Sequence, residues 1–267
     1  MSNRNEHRTL QETWPGHSNT HFGMLLDPTE QSSSAASDKV VEFENQGGEA
    51  ILIGGSGHID DAIFQGTVNS VVGVVRDIPI IIFPGHTSQI PVESKGITGV
   101  LNYQMILGSG DSQFNKAFPL KAREQFQRIL DARGLNSLAT LYILCGDPSA
   151  SVSKVSGIKP ANLNDESEQR RVLEVVTKYL NEGIQIIFFD TGSRAQTSVN
   201  RHVIQETRVL IDNVAPDTFL FVGGGITGPE QAGIYKDLAD CISIGTYFER
   251  NGVVNVAQFI AALSTQE

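Results

Sequence analysis

Eight short apolar runs recur along this chain of 267 residues, at Phe22–Leu26, Ala50–Ile53, Ile78–Phe83, Ile97–Leu101, Leu141–Cys145, Ile184–Phe189, Phe219–Val222 and Cys241–Ile244. Each is brief and mostly unbroken, as a strand covered on both faces must be. Between them lie helical patterns at Ser37–Gln46, Asp60–Val75, Lys116–Ala132, Glu168–Glu182 and His202–Asn213. Strand and helix in eightfold alternation predict a closed (β/α)8 TIM barrel, as a single domain over residues 20–267. An open doubly wound sheet is the alternative, but its first turn carries a Gly-rich dinucleotide fingerprint, and the first run here ends Leu26-Asp27-Pro28. Residues 1–19 are polar and aperiodic, with Pro15 and Gly16, and are expected to form a flexible N-terminal arm.

Composition narrows the partners. The chain is 40% hydrophobic, enough for a full core, and its net charge of −10 without a Lys/Arg cluster excludes a nucleic-acid face. No apolar run approaches the roughly 20 residues that span a bilayer, and the N-terminus lacks a signal-peptide core. A soluble, cytoplasmic protein is expected. Cys145 and Cys241 lie inside apolar runs, away from any metal or redox spacing, and read as reduced core residues.

In such a barrel the chemistry sits at the C-terminal ends of the strands. The seventh run enters Gly223-Gly224-Gly225, a helix starts near Pro229, and the eighth ends Ile244-Gly245-Thr246. Backbone N–H groups without Cβ atoms, backed by a helix N-terminus, form a phosphate cradle; the plainer reading is a tight turn. The first run ends in Asp27 and the second in Gly54-Gly55-Ser56-Gly57-His58. A carboxylate and a hydroxyl are hard oxygen ligands of the kind Mg²⁺ takes when phosphate oxygens complete its shell, although Asp27 equally suits a turn cap. His58 reads as an acid–base group or a loop residue. Beyond the fourth run, Met105 to Asp111 is either the wall of an apolar groove or a helix start. Lys159, in a long polar loop, is a candidate to neutralise an anion or a solvated lysine. Asp190, ending the sixth run opposite the cradle, is placed to take a proton from an acceptor hydroxyl.

Taken together, these strand ends resemble the glyceryl phosphate prenyltransferases, which include archaeal geranylgeranylglyceryl phosphate synthase and bacterial heptaprenylglyceryl phosphate synthase. The resemblance runs from His21 to Glu249 and rests on His21–Glu30, Ile51–Ser56, Phe83–Ile90, Ser156–Pro160, Phe189–Ala195 and Phe221–Ile226 with Gly245. It implies a barrel that moves a prenyl group from a prenyl diphosphate to a hydroxyl of a three-carbon phosphate, commonly as a homodimer. It also implies that Asp27 and Ser56 hold Mg²⁺ on the diphosphate, and that Gly223, Gly224 and Gly225 bind the acceptor phosphate.

The chain departs from the family's pattern at Phe188 and Asp190, where a tyrosine and a glutamate are usual. It departs again at Arg194, where a small residue is usual, at Thr246 in place of Asn, and at Glu30 in place of Lys. A guanidinium facing the acceptor suits a carboxylate, which makes 3-phosphoglycerate the expected acceptor and the moenomycin-pathway farnesyl transfer the branch it resembles. A surface salt bridge is the plainer reading of Arg194. The alternatives are a glycerol 1-phosphate prenyltransferase with drifted contacts, a sugar-phosphate isomerase or lyase, and a non-catalytic phosphate-binding barrel.

Overall fold

A computed structural model describes residues 9–14, 19–55, 58–93, 95–109, 120–146 and 158–264. Eight parallel strands close on themselves in chain order, with the last hydrogen-bonded back to the first. They are β1 (His21–Leu26), β2 (Ala50–Ile53), β3 (Ile80–Ile82), β4 (Gly99–Leu107), β5 (Ser137–Leu144), β6 (Ile186–Asp190), β7 (Phe219–Gly223) and β8 (Cys241–Ile244). The helices are α1 (Leu10–Thr13), α2 (Ser33–Asn45), α3 (Asp61–Val72), α4 (Leu120–Ala132), α5 (Glu166–Asn181), α6 (Arg201–Val214), α7 (Pro229–Gly233), α8 (Thr246–Asn251) and α9 (Val256–Leu263). This is the predicted (β/α)8 barrel. Among the described residues no helix is long and apolar enough to cross a membrane.

Alternation along each strand sorts its side chains into two cores. On β5, Leu141 and Ile143 face outward to the helices, whereas Leu138, Tyr142 and Leu144 fill the barrel interior. Aromatic residues dominate that interior. Phe188 packs against Phe83, Tyr142 and Phe221 with ring centroids 5.4, 5.7 and 5.8 Å apart, so the barrel centre is solid and its mouth has an aromatic floor.

Local chemistry moves several boundaries from those expected. Helix α2 starts at Ser33 rather than Ser37, because the Ser32 side chain accepts the N–H of Ala35 and caps it. Helix α5 starts two residues early for a like reason, with Asp165 accepting from Ser167 and Glu168. Strand β4 runs on to Leu107, pairing with β5 across an irregularity at Tyr103/Met105, so Met105 to Leu107 are strand and not a helix start. Strand β5 likewise begins at Ser137, four residues before the expected start, because Val100 to Tyr103 pair with Ser137 to Thr140.

The N-terminal arm is structured where it is described. Thr9 and Glu12 form a capping box that starts α1. Leu10 and Trp14 are then buried at 1% and 4% exposure in the interior cluster that contains Phe219, Phe221 and Cys241. Trp14 stacks on His21 at 4.5 Å and meets Phe219 edge-on. These partners stand at strand starts, so α1 and Trp14 cover the end of the barrel opposite the mouth. The flexible arm expected for residues 1–19 is therefore corrected for residues 9–14. Their polar composition hid two large apolar side chains spaced to reach one cavity.

Candidate active site

At the C-terminal ends of the strands lies an open cleft of about 610 Å³, counted out to solvent. Its walls come from six strand ends, with Phe83 after β3 among them. Asp27 follows β1, Gly55 follows β2, Phe188 and Asp190 close β6, Gly223 to Gly225 follow β7, and Gly245 and Thr246 follow β8. The structure thus brings together most of the sequence-predicted site: Asp27, Phe188, Asp190, Gly223, Gly224, Gly225, Gly245 and Thr246 all face the cleft.

Asp190 is 7% exposed, and each of its carboxyl oxygens accepts one hydrogen bond. Its Oδ2 accepts the Tyr142 hydroxyl at 2.6 Å and its Oδ1 accepts the Gly192 N–H at 2.7 Å. Burial raises its pKa above the usual carboxylate range, while the two donors oppose that shift. The backbone turns tightly above it. Gly224 has φ 77°, and a Cβ there would lie 2.6 Å from Asp190 Oδ1 and 2.5 Å from Thr191 Oγ1, so only glycine lets the cradle sit on the carboxyl group.

Across the cleft, Asp27 divides its oxygens. Oδ1 accepts the N–H and hydroxyl of Thr29 at 2.9 and 2.7 Å, which is the turn-capping role, while Oδ2 lies where a Gly55 Cβ would be. The turn-capping reading of Asp27 is the one these contacts bear out. Gln89, fully buried, accepts the N–H groups of Gly55 and Gly85 and ties the ends of β2 and β3 together. Ser56 lies outside the described residues.

Two acids join Asp27 on that side of the mouth. Glu249 lines the cleft, and its pKa is raised by burial first and then by the like charges of Glu30 and Asp27, with Arg194 and Lys39 opposing. Hard oxygens in a negative local potential fit a divalent cation. Among the described residues, however, no group of three or more His, Cys, Asp or Glu is placed to hold one. A Mg²⁺ at Asp27 would need further oxygens from outside those side chains.

Arg194 takes the plainer of its two readings. Its Nη2 meets Glu30 Oε1 at 3.2 Å, with side chains 58% and 44% exposed, and its backbone N–H donates to Thr246 Oγ1 at 3.3 Å. Two departures from the family pattern thus neutralise each other across the rim. Lys159 is exposed and outside the cleft lining; its backbone carbonyl accepts the Ser109 N–H. His58 is an exposed loop residue whose ring lies 4.9 Å from that of His86. Both cysteines are buried, and burial pushes their thiols up.

Sequence reasoning missed Tyr142, Glu249 and Gln89. Tyr142 was legible in parity, since it stands two residues before Leu144 on the inward face and pairs in register with Phe188. Glu249 and Gln89 had no such signal, because they sit beyond the strand ends, on helix α8 after β8 and on a short 3-10 helix (Thr87–Gln89) after β3.

Comparison with known proteins gives a consistent result. A family model described as "PcrB family" matches residues 17–263. Geranylgeranylglyceryl phosphate synthase of Thermoplasma volcanium is 29% identical over 238 residues, which is 88% of this chain and 87% of that protein. The protein of that name from Nitrosopumilus maritimus is 26% identical over 232 residues, covering 86% of this chain and 85% of its own. In fold, the chain is similar to the crystal structure of (S)-3-O-geranylgeranylglyceryl phosphate synthase from Thermoplasma acidophilum in complex with substrate sn-glycerol-1-phosphate. The TM-score is 0.78 at 22% identity, over 96% of this chain and 98% of that one.

Proposed function

We propose, from the premise that this chain belongs to the PcrB family and is a prenyltransferase, that it moves a prenyl group from a prenyl diphosphate onto a hydroxyl of glycerol 1-phosphate. The observation that carries this reading is the contact between cradle and carboxyl group: Gly224 rests on Asp190, so an anion held by the glycines has its hydroxyls beside a proton acceptor.

The chemistry follows from that placement. The acceptor phosphate sits at Gly223 to Gly225 and Gly245, where backbone N–H groups favour negative charge. Its hydroxyl oxygen attacks the first allylic carbon of the donor and forms the new C–O bond. The bond from that carbon to the diphosphate oxygen breaks, and diphosphate leaves with the electron pair. Asp190 Oδ1 or Oδ2 receives the hydroxyl proton, and the raised pKa of this buried carboxyl group makes it a stronger base than an exposed one. Asp27 Oδ2, with Ser56 shortly after β2 in the sequence, would hold a Mg²⁺ that neutralises charge on the departing diphosphate. Phe188 and Phe83 form an apolar floor that limits water near the allylic centre.

The expected transfer to 3-phosphoglycerate rested on an Arg194 guanidinium facing the acceptor and on the changed end of β6 at Phe188 and Asp190. With Glu30 against that guanidinium, and with relatives named for glyceryl phosphate synthesis, glycerol 1-phosphate is the better-supported acceptor. Steady-state transfer with each acceptor tests the choice. Turnover with glycerol 1-phosphate and none with 3-phosphoglycerate is expected, and the reverse result overturns it.

A further inference from the structure

Among the described residues, the side-chain hydroxyl that touches the Asp190 carboxyl group comes from the neighbouring strand. Tyr142 on β5 stands opposite Phe188 in the β5–β6 register, two residues before Asp190. It is 3% exposed, does not line the cleft, and directs its hydroxyl at Asp190 Oδ2 over 2.6 Å. The ring is clamped by Phe83, Tyr103 and Phe188 at 5.9, 5.5 and 5.7 Å, which fixes the direction of that hydroxyl.

The geometry points to Tyr142 as a positioning residue for prenyl transfer: it holds one oxygen of Asp190 and leaves the carboxylate oriented, and in its ionised form, beneath the acceptor cradle. This rests on Asp190 being the proton acceptor. Two donors from two elements, the Tyr142 hydroxyl and the Gly192 N–H, fix the carboxyl plane, so the lone pairs that remain point to where the acceptor binds. Among the described residues, the other titratable groups facing Asp190 are Tyr103 on β4 and Cys145 at the end of β5, and burial pushes both above their usual values. Neither presents a cation. The Gly192 N–H is fixed in the backbone, which leaves the Tyr142 hydroxyl as the adjustable donor. A hydrogen bond to a charged group stabilises the ionised form enough to move its pKa by about one to two units.

Tyr142→Phe keeps the ring and its packing while removing the donor. The acidic limb of the rate–pH profile, which reports the Asp190 carboxylate, is expected to move up by about one to two pH units. The KM for both substrates should stay within about twofold, because Tyr142 touches neither. Tyr103→Phe, which removes a hydroxyl with no hydrogen bond to Asp190, should leave the limb in place. Infrared titration of the carboxyl band, assigned with Asp190→Asn, follows the same ionisation without relying on turnover. A limb and a band that both move in Tyr142→Phe support the inference. If neither moves, the tyrosine merely packs and the inference is overturned. If the band moves while the limb stays and Asp190→Asn retains its rate, Asp190 is not the base, and Tyr142 has no role in the reaction.

Discussion

Replacing Gly224 by alanine separates what the cradle needs from what its backbone needs. Gly224 and Gly252 have nearly equal φ, 77° and 73°, but a Cβ at Gly252 meets nothing within 4 Å. Either alanine pays a positive-φ penalty of about 1–3 kcal/mol. At Gly224 the Cβ also falls 2.6 Å from Asp190 Oδ1 and 2.7 Å from the Gly192 nitrogen, two atoms hydrogen-bonded to each other. Wedging that charge-assisted bond apart costs a further 1.5–3 kcal/mol or so. Chemical denaturation should therefore find Gly252→Ala destabilised by roughly 1–3 kcal/mol and Gly224→Ala by roughly 3–6. In kinetics, Gly252→Ala should turn over normally, while kcat/KM for the acceptor in Gly224→Ala falls by about ten- to a hundredfold. Equal kinetics in the two variants would refute a cradle seated on Asp190.

Other consequences concern stability and pH. Trp14→Ala empties the end of the barrel opposite the mouth and should cost about 3–5 kcal/mol, with the rate of the remaining folded enzyme unchanged; a thermal-melt loss under about 1 kcal/mol would mean that α1 does not close the barrel. Asp240 accepts from Arg208 Nη1 at 3.1 and 3.2 Å and from the Leu220 N–H at 2.6 Å, all buried, so Asp240→Asn should cost about 3–5 kcal/mol in urea unfolding. Because the folded-state pKa of Asp190 is raised, the folded protein holds that proton more tightly than the unfolded chain does. Its contribution is complete below the ordinary carboxylate range and is lost as pH rises through the folded value. The stability difference between wild type and Asp190→Asn should change across that window, and a flat difference would contradict the burial argument.

Much of the fold was written in local pattern. The β2 run is a continuous apolar stretch and the β8 run is interrupted only by Ser243; each lies between an acidic residue and a glycine, and their expected and observed limits coincide. Strands β4 and β5 were underestimated because their extra length comes from pairing with each other, and Asn102, Tyr103 and Ser137 look polar until they are placed side by side. The helix starts were misplaced where a cap, Ser32 or Asp165, sits several residues ahead of the first periodic apolar position.

For the site, strand ends were informative because the barrel brings every strand's C-terminus to one face. That rule alone located Asp27, Asp190 and the glycines. It could not give side-chain partners. Arg194 looked like an acceptor-binding cation because its partner, Glu30, is 164 residues away and meets it only when β1 and β6 share the rim. Tyr142 escaped notice for a different reason: an inward tyrosine in an apolar run reads as core, and only the register with Phe188 aims its hydroxyl at Asp190.

The most direct test is the product itself. Purified protein given Mg²⁺, geranylgeranyl diphosphate and glycerol 1-phosphate should release diphosphate in equal amount to a prenylglyceryl phosphate ether identified by mass spectrometry. Free prenyl alcohol alone, or no consumption of either substrate, would contradict the account.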